Sequence, residues 1–142
     1  MKDEAGQQNI NELASGSKPK ILLLEDYPDL IAFYTHALDG AGFAVMTSDN
    51  EEEGEAVALQ EKPDLVILDI SLPTSDDFSF IRRLKERPET ADLPVIVLTD
   101  LSGEEDIKRG MDAGADAYLV RDNFSINQII DKIKEVINKS NK

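Results

Sequence analysis

Four short apolar runs punctuate the chain, and each ends on a polar side chain: ILLLED on Glu25 and Asp26, LVILD on Asp69, VIVLT on Thr99 and AYLVR on Arg121. Runs of four or five aliphatic residues bounded by turn formers read as strands covered on both faces, as in a parallel sheet. A shorter run, FAVMT at 43–47, supplies a further strand. The remaining segments alternate with these strands and carry apolar residues at helical spacing. Pro28 opens a helix with Leu30, Ile31, Phe33, Tyr34, Ala37 and Leu38 on one stripe, ended by Asp39-Gly40-Ala41-Gly42. A second helix is expected from about Glu51 to Gln60, buried through Ala56, Val57 and Leu59. The strand at Asp64 to Asp69 is followed by a loop kept open by Pro73-Thr74-Ser75, then by the amphipathic FSFIRRLKER with Pro88 just beyond it. Ser102 is the expected N-cap of a helix starting at Gly103, with Glu104 and Glu105 in its first turn and Gly114 closing it. After the strand at Asp116 to Val120, Ser125 caps a last helix with Ile126, Ile129, Ile130, Ile133, Val136 and Ile137 toward the core.

Five strand–helix repeats with short connections predict an α/β fold, a doubly wound parallel five-stranded sheet with helices on both faces. In such sheets ligands bind outside the carboxyl ends of the strands, where these polar side chains converge. The order 2-1-3-4-5 sets strands one and three side by side and so joins Glu25, Asp26 and Asp69. Residues 1–18, rich in Gln, Asn, Gly and Ser without sustained periodicity, are expected to be a disordered tail unless a partner captures part of it as a helix. Residues 19–142 form the folded domain.

Composition narrows the chemistry. With 15 Lys plus Arg against 29 Asp plus Glu, a formal charge of −14 over 142 residues argues against nucleic acid or an anionic membrane as partner and favours proteins or cations. The absence of cysteine excludes disulfides and thiolate metal sites. No signal peptide or membrane-spanning run is legible, so a cytoplasmic location is the default expectation. Taken singly, each acid after a strand is an ordinary turn former or cap. Together at one sheet edge the acids would repel one another, and a hard divalent cation such as Mg²⁺ would relieve that repulsion. One carboxylate could then serve as nucleophile toward a phosphoryl group, with Asp69 the candidate because its strand is central. Thr99 would offer a hydroxyl and Arg121 a cation to the transferred oxygens. His36, on the first helix, and the run Asp49 to Glu53 read as surface.

The segments KILLLED-x-PDL, PDLVILDISLP, LPVIVLT and GADAYLV, with 30 residues from Asp69 to Thr99, 49 to Tyr118 and 52 to Arg121, resemble the receiver domain of two-component response regulators over about residues 19–139. The resemblance implies a flavodoxin-like fold and a signalling switch, not an enzyme, beyond self-catalysed phosphoryl uptake and hydrolysis. Asp69 would be the phosphoacceptor, fed by phosphohistidine on a sensor kinase or phosphotransfer protein. Glu25, Asp26, Asp69 and the main-chain carbonyl of Ser71 would hold Mg²⁺. Thr99 would be the switch hydroxyl and Tyr118 the aromatic switch, repacking the face of helix four, strand five and helix five for a downstream protein. With only Asn138 to Lys142 after the last helix, a single-domain receiver acting through protein contacts is expected, and dimerisation through its last two helices stays open.

Four positions depart from that family's pattern. Arg121 stands where lysine is usual, Asp122-Asn123 replaces a proline usually preceded by a cis bond, Asp77 replaces a glycine, and Asp100 a small residue. Arginine could bind a phosphoryl group bidentately or lock onto an acid of the empty site. Without proline, a cis bond costs about 2.5 to 4 kcal/mol, so the loop after strand five is expected to be trans. The added negative charge predicts slower phosphorylation, a changed donor or none. The alternative is a binding module that works without phosphate, with Arg121 paired to Asp69 or Asp26. A hydrolase or flavin carrier fits less well, because strand one lacks a Gly-rich phosphate loop.

Overall fold

The computed structural model describes residues 18–69 and 78–140. The expected tail and the Pro73-Thr74-Ser75 loop therefore lie outside the described residues. Strands β1 (Lys20–Leu24), β2 (Ala44–Ser48), β3 (Leu65–Leu68), β4 (Val95–Thr99) and β5 (Ala117–Val120) form a parallel sheet in the order β2-β1-β3-β4-β5. Between and after them run α1 (Pro28–Gly40), α2 (Glu51–Glu61), α3 (Ser79–Glu86), α4 (Glu104–Ala113) and α5 (Ile126–Ser140). Leu24 is in register with Leu68 across β1 and β3, and Leu68 with Val97 across β3 and β4. The residues that follow these strands consequently emerge at the same edge.

The apolar runs are continuous because alternate residues enter two different cores. Leu22, Leu24, Val66, Leu68, Val95 and Val97 pack on one face with Ala58, Phe80, Ile81 and Leu84 from α2 and α3. Ile21, Leu23, Leu65, Ile67, Ile96 and Leu98 pack on the other with Tyr34 and Leu38 of α1 and Ile129, Ile133, Val136 and Ile137 of α5. The helix stops obey local chemistry. Arg87 caps α3 in an extended conformation, as a residue preceding proline must. Gly114, at φ 118°, closes α4 in the left-handed region. Ser125 and Gln128 cap α5 reciprocally: the Gln128 N–H donates to Ser125 Oγ at 3.1 Å and the Ser125 N–H to Gln128 Oε1 at 2.8 Å.

Three local expectations are corrected. The inner face of α2 is Gly54 and Ala58, one turn apart, whereas Ala56 is exposed and Val57 and Leu59 are half-buried. A Cβ on Gly54 would come within 2.8 Å of Leu24 Cδ2, so α2 runs closest to β1 at its small residues, and Val57 packs against this core only partly buried. Phe33 on α1 is 52% exposed, since only Tyr34 and Leu38 of its stripe reach the core fully. The N-cap of α4 is Gly103, not Ser102, and no side chain caps it. Helix α4 begins at Glu104, one residue later than expected, and Ser102 falls outside the capping position.

Candidate functional site

The carboxyl edge gathers side chains from four strand ends. The Glu25 N–H donates to the Ser48 carbonyl at 3.0 Å and the Asp69 N–H to the Leu24 carbonyl at 3.2 Å. The sheet ladder thus extends one residue beyond β1 and β3 and fixes both carboxylates on rigid main chain. Glu25 is 2% and Asp69 4% exposed, and Thr99 is buried as well. Burial, the neighbouring Asp69 charge and a hydrogen bond shared with Asp69 push Glu25 up to about 7, against opposing contributions from the Tyr27 N–H and Arg121. The buried Glu25 carboxyl therefore holds a proton that an ordinary glutamate would release.

Arg121, at the end of β5, is the cation that answers this pair. Its Nη2 lies 3.2 Å from Asp69 Oδ2 and 3.6 Å from Glu25 Oε1, and donates to the Leu98 carbonyl at 3.3 Å. Nη1 lies 2.8 Å from Asp100 Oδ1, and Nε–H donates to the Tyr34 hydroxyl at 3.1 Å. Burial opposes the charge, yet Tyr34, Asp69 and Asp100 together hold the guanidinium more strongly protonated than usual. Arg121 thus pairs directly with Asp69. Arg121–Asn123 form a short 3-10 turn, and all described peptide bonds are trans.

The other expected residues sit around this center. Asp26 follows Glu25 at the exposed start of the β1–α1 loop. Thr99 Oγ1 accepts the Leu101 N–H at 3.4 Å. Tyr118 is half-buried on β5, and its hydroxyl donates to the Leu101 carbonyl at 2.8 Å. Burial and the nearby Asp106 charge push its ionisation up to about 12. Ser71 and Asp77 lie outside the described residues. Tyr34 falls by its helical spacing on the apolar stripe of α1, and that spacing carries no sign of a hydrogen bond. Its role as a guanidinium acceptor had no local signal, because 87 residues separate it from Arg121.

Among the described residues no group of three or more acids, histidines or cysteines is placed to hold a metal ion. The donor chemistry nevertheless suits a hard cation. Glu25 and Asp69 present adjacent carboxylate oxygens, and Glu25 is raised by its burial first and by the Asp69 charge second, even with Arg121 beside it.

A parallel 2-1-3-4-5 sheet with a buried aspartate ending its central strand defines an α/β receiver-like fold. The family model for the response regulator receiver domain matches residues 21–134, and the chain belongs to that family. It is 33% identical over 124 residues to the DNA-binding dual master transcriptional regulator RpaA of Synechocystis sp., covering 87% of this chain and 51% of that protein. It is 38% identical over 123 residues to the phosphate regulon transcriptional regulatory protein PhoB of Rhizobium meliloti, covering 86% and 53%. The chain thus spans about half the length of these relatives. A putative response regulator from Chloroflexus aurantiacus superposes with a TM-score of 0.80 at 25% identity, covering 86% of this chain and 99% of that one. The receiver domain of a signal transduction histidine kinase from Syntrophus aciditrophicus gives 0.77 at 28%, covering 85% and 91%. Receiver domains are signalling switches of two-component systems that interact with histidine kinases and downstream effectors, and they are not classical enzymes. No described helix is long and apolar enough to cross a membrane.

Proposed function

We propose that this receiver is a phosphoacceptor switch that takes a phosphoryl group on Asp69 from the phosphohistidine of a sensor kinase or phosphotransfer protein. The observation that carries the reading is the Asp69 carboxylate itself, buried at the end of the central strand beside Glu25 and faced by a guanidinium. An Asp69 oxygen attacks phosphorus, the P–N bond breaks, and its electron pair returns to the imidazole ring. Glu25, Asp26, Asp69 and the Ser71 carbonyl would hold Mg²⁺, which when bound screens the charge of the acids and the phosphoryl oxygens. Arg121 exchanges Asp69 for phosphoryl oxygens, to which its planar fork offers two parallel hydrogen bonds. Thr99 gives its hydroxyl to the phosphate. Tyr118 leaves the Leu101 carbonyl and turns inward, shifting the population of the α4–β5–α5 face toward a form that a downstream protein recognises. Hydrolysis of the acyl phosphate resets the switch.

The Arg121–Asp69 ion pair favours a second reading, in which the guanidinium permanently replaces the cation and the domain binds its partner without phosphate. Incubation with acetyl phosphate or phosphoramidate and Mg²⁺, read by intact mass, separates the two. The expected result is an adduct of about 80 Da on the wild type and none on Asp69→Asn. An unlabelled wild type, under conditions that label a control receiver, would sink the first reading.

A further inference from the structure

Arg121 bridges two elements far apart in sequence, helix α1 and the end of β4. On the β4 side it touches the Leu98 carbonyl and Asp100, whose side chain is 72% exposed, so that ion pair is weakened by solvent. On the α1 side it donates Nε–H to Tyr34, a residue 4% exposed and packed in the core with Leu38. A guanidinium is planar, and its five N–H groups form a rigid fork. Fixing Nε therefore fixes the direction of both terminal nitrogens. With Nε on Tyr34, Nη2 points at Asp69 and Glu25 and Nη1 at Asp100. Without it, rotation about the Cδ–Nε bond would carry the whole fork off the acid pair, with the exposed Asp100 side chain able to follow.

We propose that Tyr34 is a positioning residue that latches Arg121 onto Asp69 and Glu25, so that helix α1 sets how readily the acid pair is released to a cation or phosphoryl group. This deepens the reading of Asp69 as phosphoacceptor and rests on it for its consequence, but the latch itself is a property of the resting protein. The edge of the Tyr34 ring meets the exposed Phe33, with centroids 5.3 Å apart. Anything that presses on that face of α1 acts on a ring in direct contact with the latch.

Four proteins test the latch: wild type, Tyr34→Phe, Arg121→Met and the double variant. Phenylalanine keeps the buried ring and removes only the acceptor. In metal-free protein, the Arg121 Nε–H resonance is expected to be slow to exchange in the wild type and lost to solvent exchange in Tyr34→Phe. In a MgCl₂ titration followed by amide shifts, Tyr34→Phe is expected to tighten binding by about tenfold to 150-fold, the worth of one hydrogen bond to a charged group. The double variant is expected to match Arg121→Met, because the tyrosine acts only through the arginine. An Nε–H equally protected in Tyr34→Phe, or a Tyr34→Phe effect of the same size in the Arg121→Met background, would overturn the proposal. The Nε–H result stands whether or not metal binds. A latch confirmed in a protein that takes no phosphoryl adduct would refute the phosphoacceptor reading alone, and an adduct on a protein without the latch would refute the latch alone.

Discussion

Two tyrosine hydroxyls serve the same sheet edge under opposite conditions. Tyr34 on α1 is buried, and its hydroxyl accepts from a charged guanidinium that in turn touches Asp69, Glu25 and Asp100. Tyr118 on β5 is half-buried, and its hydroxyl donates to one main-chain carbonyl at the solvent-facing loop after β4. A buried ring tied into an ionic network loses packing and hydrogen bonding together when it moves, whereas Tyr118 can exchange its carbonyl for water at little cost. One side of the pocket is thereby built to hold a position and the other to change it.

The largest expected effect tests that asymmetry directly. Tyr34→Ala should cost about 3 to 5 kcal/mol of stability in urea unfolding, as for other buried aromatic truncations, and Tyr118→Ala about 1 to 2. Equal losses would break the comparison.

The acid pair supplies the next effect. Folding raises Glu25 from 4.5 to about 7, so the folded chain binds this proton more tightly than the unfolded chain does. The contribution of this group is therefore complete below pH 4.5 and falls as the pH rises toward and through 7, by on the order of 3 kcal/mol in all. Other groups also titrate in that range, so the measurement is the difference between wild type and Glu25→Gln in urea unfolding from pH 4 to 8. The wild type should lose stability relative to the variant as the pH rises. A flat difference would mean that folding leaves Glu25 near its ordinary value, and that neither its burial nor the Asp69 charge raises it.

The sheet was legible because β1, β3 and β4 are covered on both sides, which forces unbroken apolar runs such as LVIL at 65–68, whereas the strand order left no mark in hydrophobicity and followed from setting the acids of strands one and three side by side. The acids and Arg121 stood out for the same reason: a polar residue ending an apolar run is conspicuous. What escaped was set by distance between elements. The inward side of α2 is chosen by its close approach to Leu24, which favours Gly54 and Ala58 over the more apolar Val57 and Leu59. Tyr34 lies on the part of the α1 stripe that does reach the core, but a tyrosine buried for packing and one buried to accept a hydrogen bond have the same periodicity. Only the arrival of Arg121 from the far end of the sheet distinguishes them.

The smallest expected effect concerns the slot in which Tyr118 rests. Gly110 on α4 leaves room for that ring: a Cβ there would lie 2.9 Å from Tyr118 Cδ2 and 3.2 Å from Phe78 Cε1. The Tyr118 and Phe78 rings meet edge to face with centroids 6.4 Å apart, so a Cβ at position 110 would crowd both. Gly110→Ala removes the slot, while adding a residue that favours helix by roughly 1 kcal/mol. Packing strain of about 1 to 3 kcal/mol opposes that gain, so net stability should change by no more than about 2 kcal/mol. The conformational effect should exceed the energetic one. Displaced from α4, the ring should lose the Leu101 carbonyl, and the amide shifts of Leu101 and Tyr118 should move without any phosphoryl donor. Unmoved shifts at those two amides would show that the ring has room on the β5 side, and that Gly110 is not what holds Tyr118 in its resting place.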